Sequence, residues 1–103
     1  MIPGIPDAAA KAILEILAKD FRISQATVYG SRAKGNFRTG SDIDLCLEAP
    51  GFDLSALARL EDQLDDLLLP WKIDVVLRHQ IDNPALLDHI DRVGLPLLVP
   101  ADR

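Results

Sequence analysis

The sequence contains a single cysteine, Cys46. One thiol cannot close an internal disulfide and offers no metal-finger spacing, so a reducing cytoplasm is the expected setting. Basic residues are also scarce: 11 Lys and Arg against 16 Asp and Glu leave a formal net charge of -5 at pH 7. A surface that tracks DNA or RNA needs a basic footprint, and this balance argues against extended nucleic-acid binding. A small anion held through a metal stays compatible, because the metal supplies the positive charge. No apolar window approaches the roughly 20 residues that span a bilayer. The N-terminus has no basic residue before Lys11, and its apolar run is broken by Glu15, so neither a secretory signal nor a membrane anchor is expected. Repeats, low-complexity segments and linkers are missing as well. What remains is 103 residues with 49% hydrophobic and 26% charged content, enough for a modest core and expected as one domain over residues 1–103.

Pro6-Asp7 predicts a helix start, and Ala8 to Asp20 carries Ala9, Ile13, Ile16 and Leu17 on one face. Ala26 to Tyr29 reads as a short strand ended by Gly30. Turn residues from Asn36 to Ser41 lead into a second strand, Ile43 to Glu48, which Ala49-Pro50-Gly51 stops. Leu54 to Leu69 is the strongest helical pattern, with Leu57, Leu60, Leu64, Leu67 and Leu68 three or four residues apart. Its charged positions Arg59, Glu61, Asp62, Asp65 and Asp66 read as a solvated face. Pro70 ends it. Lys72 to Leu77 is a third strand, Asn83-Pro84 opens a helix to about Arg92, Gly94 stops that helix, and Leu97 to Val99 adds a last strand. The order α-β-β-α-β-α-β predicts an α+β fold with a small mixed sheet. The first two strands, joined by a short connection, pair antiparallel, and the helix between the second and third allows a parallel pair.

Chemistry concentrates between Val28 and Glu48. Alternate residues of a strand share a face, so Asp42 and Asp44 project together while Ile43, Leu45 and Leu47 turn the other way. The same parity sets Asp74 opposite Ile73, Val75 and Leu77. With the second and third strands adjacent, three carboxylates meet on one face. Without a cation they repel and at least one pKa rises; a hard divalent ion with oxygen ligands removes the conflict. Beside them, Gly30 lets backbone approach a ligand closely, and Ser31 can cap a following short helix whose N-terminus favours an anion. Arg32, Lys34 and Arg38 add three cations to the same stretch. A phosphate cradle next to a carboxylate cage is the layout of metal-assisted nucleotidyl transfer, in which two ions about 3.5–4 Å apart clamp the attacking and leaving oxygens.

These residues closely resemble the signature of the DNA polymerase β-like nucleotidyltransferase superfamily, and within it the minimal nucleotidyltransferases of prokaryotic toxin–antitoxin pairs. That pattern is Gly-Ser, ten residues, Asp-x-Asp, and a third acidic residue on a later strand. Here it reads Gly30-Ser31, ten residues, Asp42-Ile43-Asp44, and Asp74 in KIDVVL. The resemblance implies a polymerase β-like fold and an active nucleotidyltransferase. Asp42 and Asp44 are then ligands of the metal and the triphosphate, and Asp74 is a further metal ligand that serves the incoming hydroxyl. Gly30, Ser31, Arg32 and Lys34 are then the nucleotide- and phosphate-binding residues, Gly30 and Ser31 holding the β- and γ-phosphates. It further implies Mg²⁺ (two ions, with Mn²⁺ as a substitute) and ATP or another nucleoside triphosphate. The implied partner is a helical HEPN toxin that is neutralised when AMP passes from ATP to a tyrosine hydroxyl.

Two other functions fit the same residues: an antitoxin that neutralises its partner by contact alone, and transfer to a small molecule, which the lack of a second domain disfavours. LPLLVP near the C-terminus and the many leucines suggest apolar surface for a partner or a homo-oligomer. Cys46 shares the carboxylate face by parity and reads as a small buried hydrophobe. His79 and His89 show no ligand pattern and are expected to be structural or exposed. Tyr29 and Trp71 are expected to pack, and Arg38 to solubilise its loop.

Overall fold

The protein is described here from a computed structural model covering residues 1–99. Its elements are α1 (Asp7–Ala18), β1 (Gln25–Tyr29), α2 (Gly30–Lys34), β2 (Ile43–Glu48), α3 (Leu54–Asp65), β3 (Ile73–Leu77), a 3-10 turn (Arg78–Gln80), α4 (Pro84–Val93) and β4 (Leu95–Leu98). The longer helices begin where local chemistry dictates. At α3 the Asp53 carboxylate accepts the Ala56 N–H at 2.8 Å. At α4 Asn83 accepts the Ala85 N–H at 2.9 Å and Pro84 fills the first turn. Each such cap contributes about 1 kcal/mol.

Helix ends depart from the expected boundaries for identifiable reasons. The third helix stops at Asp65 rather than Leu69. Leu68 takes a left-handed φ of +54°, and Leu69 precedes Pro70, which disfavours helical backbone. Asp65 and Asp66 also place negative charge at the negative end of the helix dipole. Likewise α1 stops at Ala18, and Asp20 beyond it accepts the Arg22 N–H at 2.9 Å and its guanidinium at 2.7 Å.

The four strands lie in the order β3-β2-β1-β4. Both β2 and β4 run antiparallel to β1, and β3 runs parallel to β2. The mixed sheet and both predicted pairings are present. One face is apolar: Ala26, Val28, Ile43, Leu45, Leu47 and Leu98 have no exposed surface and join a core with Ile13 and Leu17 of α1 and Leu60 and Leu64 of α3. The other face carries Thr27, Tyr29, Asp44 and Cys46 by register, and α4 crosses part of it with Ile90 buried. Within LPLLVP, Leu97 and Leu98 are buried in the core, Leu95 and Val99 are partly buried and Pro96 is exposed; Pro100 lies outside the described residues. Among the described residues no helix is long and apolar enough to cross a membrane.

The core behind β2 holds the acidic strand rigid. Leu45→Ala removes a fully buried side chain next to Asp44 and is expected to cost about 3 kcal/mol. Urea unfolding checks this as a lower midpoint at unchanged slope.

Candidate active site

Asp44 and Asp74 are Cα partners across the parallel β2–β3 ladder, so their side chains leave the same face next to one another. Asp42 precedes β2 and is exposed; Asp74 is exposed too, while Asp44 is half-buried. Lys72 reaches Asp74 at 4.0 Å, a contact between two solvated groups that is worth little. Of the expected convergence, Asp44 and Asp74 stand in register, while Asp42 lies just upstream of the strand. Among the described residues, however, no three acidic, histidine or cysteine side chains already stand as a closed metal cluster.

Gly30 forms the wall next to Asp44. Its φ is +74°, and a Cβ there would overlap an Asp44 carboxylate oxygen, so glycine is demanded twice, by backbone and by space. The residue does more than break the strand: it starts α2. Tyr29 holds the N-cap position with no side-chain cap, and Ser31 lies inside the first turn instead of capping it, which corrects the expected role of its hydroxyl. Gly35, at φ +85°, ends the helix by donating its N–H to the Ser31 and Arg32 carbonyls.

Arg32 departs furthest from expectation. It points inward, 1% exposed, and its guanidinium is committed to backbone carbonyls: Pro3 at 2.8 Å, Ser41 at 2.8 Å, and Thr39 at 3.5 Å. A guanidinium so enclosed has no free fork to offer a phosphate, so Arg32 is a structural residue and not a phosphate ligand. Lys34 is exposed in the last turn of α2, about 6 Å along the axis from Gly30. Arg38 is exposed as expected. Trp71 is partly buried and donates its indole N–H to Thr39 O at 3.3 Å, bracing the segment that leads to Asp42.

Residues 11–101 match the family described as Polymerase beta, Nucleotidyltransferase. The chain belongs to this nucleotidyltransferase family. Relatives similar to it include the probable protein adenylyltransferase MntA of Haemophilus influenzae, 35% identical over 67% of this chain and 59% of that protein. The chain thus spans about three fifths of that relative's length. A putative protein adenylyltransferase of Methanocaldococcus jannaschii is 32% identical over 75% of this chain and 79% of its own. Among solved structures, a putative minimal nucleotidyltransferase is 31% identical with a TM-score of 0.65, covering 87% of this chain and 90% of that one. A toxin–antitoxin structure with AMP-PNP shares the fold at a TM-score of 0.72 and 22% identity, over 87% of this chain and 73% of that one.

Within this nucleotidyltransferase fold, α4 contributes a residue that sequence reasoning missed. His89 Nε2 accepts the Gly30 N–H at 3.1 Å, and its ring meets Tyr29 edge-on with centroids 6.2 Å apart. The available signal was helical spacing: His89 lies three residues after Leu86 and four before Val93, on the inward stripe of α4. Tyr29 is half-buried beside the carboxylates, and burial first, then Asp44, push its phenol up to about 12. Cys46 is buried as expected, and burial raises its thiol above the ordinary value.

Burial also raises the Asp44 carboxyl above its usual range, and the charges of Asp74 and Asp42 push it further, with His89 acting the other way. An oxygen-only donor set under mutual repulsion fits a hard divalent cation. The folded protein therefore binds protons more tightly than the unfolded chain at this carboxyl, and stability falls as pH rises from the normal carboxylate value through the raised one. In chelator, Asp44→Asn should melt above the wild type near neutral pH, with the gap closing in acid; a pH-independent gap in thermal melts would contradict this. A second expectation concerns His89. Because Nε2 accepts from an amide, the neutral ring carries its proton on Nδ1, which ¹⁵N NMR in mildly alkaline buffer reads directly.

Proposed function

We propose that the protein transfers a nucleoside monophosphate from ATP, or another nucleoside triphosphate, to a hydroxyl on a partner protein. The acceptor is a tyrosine of a helical HEPN-type toxin, and the protein acts as the cognate antitoxin in the cytoplasm. The observation that carries the reading is the in-register pair Asp44 and Asp74, with the Asp44 carboxylate lying against the Cα of Gly30. Relatives named protein adenylyltransferases, and a fold neighbour that is an MNT antitoxin in complex with a tri-AMPylated HEPN toxin, support the acceptor class.

In this reading Asp42 and Asp44 hold the cation and the triphosphate, with Mg²⁺ preferred and Mn²⁺ a substitute. Asp42 and Asp74 are exposed side chains able to rotate toward a shared ligand. Two divalent ions, when bound, supply charge neutralisation at the transferring phosphoryl group. The residues of the chain do the rest. Ser31 and the backbone of α2 orient the β- and γ-phosphates, and exposed Lys34 adds a point charge near them. Asp74 lies on the far side of Asp44 from Gly30, placed to receive the proton of the acceptor hydroxyl. The hydroxyl oxygen bonds to the α-phosphorus as the bond to the β-phosphate oxygen breaks, and pyrophosphate leaves. Positioning and charge carry the rate, and no covalent enzyme intermediate is required.

The test is incubation of the protein and the helical protein encoded beside it with labelled ATP and Mg²⁺. Label should appear on the neighbour, and Asp42→Asn with Asp44→Asn should lower the transfer rate about 100-fold or more. Asp74→Asn should reduce turnover more than it changes the KM for ATP, since that residue serves the acceptor. No label with the wild type, or neutralisation of the neighbour that survives the double change, would favour an antitoxin acting by contact.

A further inference from the structure

Among the described residues, the buried Arg32 has no carboxylate as a hydrogen-bond partner. Its charge is met by carbonyl dipoles drawn from two stretches of chain: Nη1 donates to Pro3 O at 2.8 Å, Nη2 to Ser41 O at 2.8 Å, and Nε to the same Ser41 oxygen at 3.2 Å. The guanidinium lies over the Phe37 ring at 4.9 Å. Enclosing a cation this way is costly unless every donor finds an acceptor, so the arrangement tolerates little displacement of either stretch.

We propose that Arg32 is a positioning residue that couples an N-terminal strap, residues 1–5, to the peptide carrying Asp42. The Ser41 carbonyl belongs to the peptide bond whose nitrogen is that of Asp42, so two hydrogen bonds on that oxygen fix the plane from which the first carboxylate departs. The strap is a built element. Ile2 and Ile5 are buried, Ile5 N–H donates to Ile2 O at 3.1 Å, and the turn so closed presents Pro3 O to the guanidinium. Gly4 in that turn has a φ of +76°, and a Cβ there would overlap the Phe37 ring and stand 2.8 Å from Arg32 Nη1. The strap precedes residues 11–101, the span that matches the family, so this chain completes its site with a segment outside the family match.

Its consequence for ligand binding rests on the nucleotidyl-transfer reading, and the test separates the two. Three full-length variants are compared with the wild type: Gly4→Ala, whose methyl lifts the strap; Arg32→Lys, which keeps the charge but loses the fork; and Leu60→Ala, a core truncation in α3 that matches their loss of melting temperature. The readouts are amide hydrogen exchange over residues 39–43 and Mn²⁺·ATP affinity, followed by the Mn²⁺ paramagnetic resonance signal. Gly4→Ala and Arg32→Lys should each speed exchange in that segment and weaken Mn²⁺·ATP by about tenfold, with Leu60→Ala within about twofold of wild type. Should Gly4→Ala fail to fold, Arg32→Lys alone decides. Exchange and affinity that follow melting temperature equally in all variants would reduce Arg32 to a general stabiliser and overturn the inference. A wild type that binds no Mn²⁺·ATP would instead overturn the nucleotidyl-transfer reading, leaving exchange to judge the strap, where unchanged rates in Gly4→Ala and Arg32→Lys would end it.

Discussion

Like charges in neighbouring register do not persist on a sheet by accident of packing. Asp44 and Asp74 face each other across β2 and β3, with Asp42 two residues upstream and its charge acting on Asp44. Their repulsion, added to partial burial, holds Asp44 above its ordinary pKa. The fold can bear this because the opposite side of the same strands is wholly apolar. Ile43, Leu45 and Leu47 are fully buried, so turning the strand over would expose three large side chains and bury the carboxylates. At about 1.5–3 kcal/mol per buried aliphatic side chain, that register preference outweighs the repulsion of partly solvated carboxylates. The conflict is thus a stable property of the folded protein, and under the nucleotidyl-transfer reading a divalent cation is the ligand that relieves it.

Around this pair the structure is asymmetric. On the β1 side, the Gly30 bend, α2 and His89 of α4 crowd Asp44, and the Gly30 N–H is already engaged by an imidazole. On the other side lies β3, an edge strand of the described sheet, with Asp74 exposed. Under the nucleotidyl-transfer reading, backbone approach and phosphate recognition belong on the first side, because there glycine lies directly against a carboxylate. The open edge suits a group carried by another molecule.

Much of this was legible in the sequence because it depends on period and spacing. Strand parity set Asp44 and Asp74 on one face, the Asn83-Pro84 pair marked the start of α4, and the short connection after Gly30 dictated the antiparallel pair. What could not be read depends on partners that have no sequence signature. Arg32 looks like a phosphate ligand in a basic stretch, and only the backbone carbonyls of Pro3, Thr39 and Ser41 make it structural. His89 has no ligand spacing in the sequence, and its only signal is the helix periodicity that turns it inward. The premature end of α3 turns on a left-handed Leu68, which no propensity favours and tertiary packing must impose. LPLLVP reads as exposed apolar surface, whereas in the sheet Leu97 and Leu98 turn into the core.

The basic stretch after Gly30 therefore divides its labour. Of its three cations, Arg32 is consumed in holding backbone, and Lys34 and Arg38 remain exposed. A triphosphate carries more charge than two solvated side chains offset, and the chain as a whole is at -5. Electrostatic attraction of the free nucleotide to this surface is accordingly weak. Under the nucleotidyl-transfer reading, most of the affinity must then arise from the cation shared with Asp42 and Asp44, because it alone cancels charge on both partners at once. Nucleotide and divalent ion should thus bind as a coupled pair, each poorly without the other, and the rigidity of the Ser41–Asp42 peptide sets how well that coupling is realised.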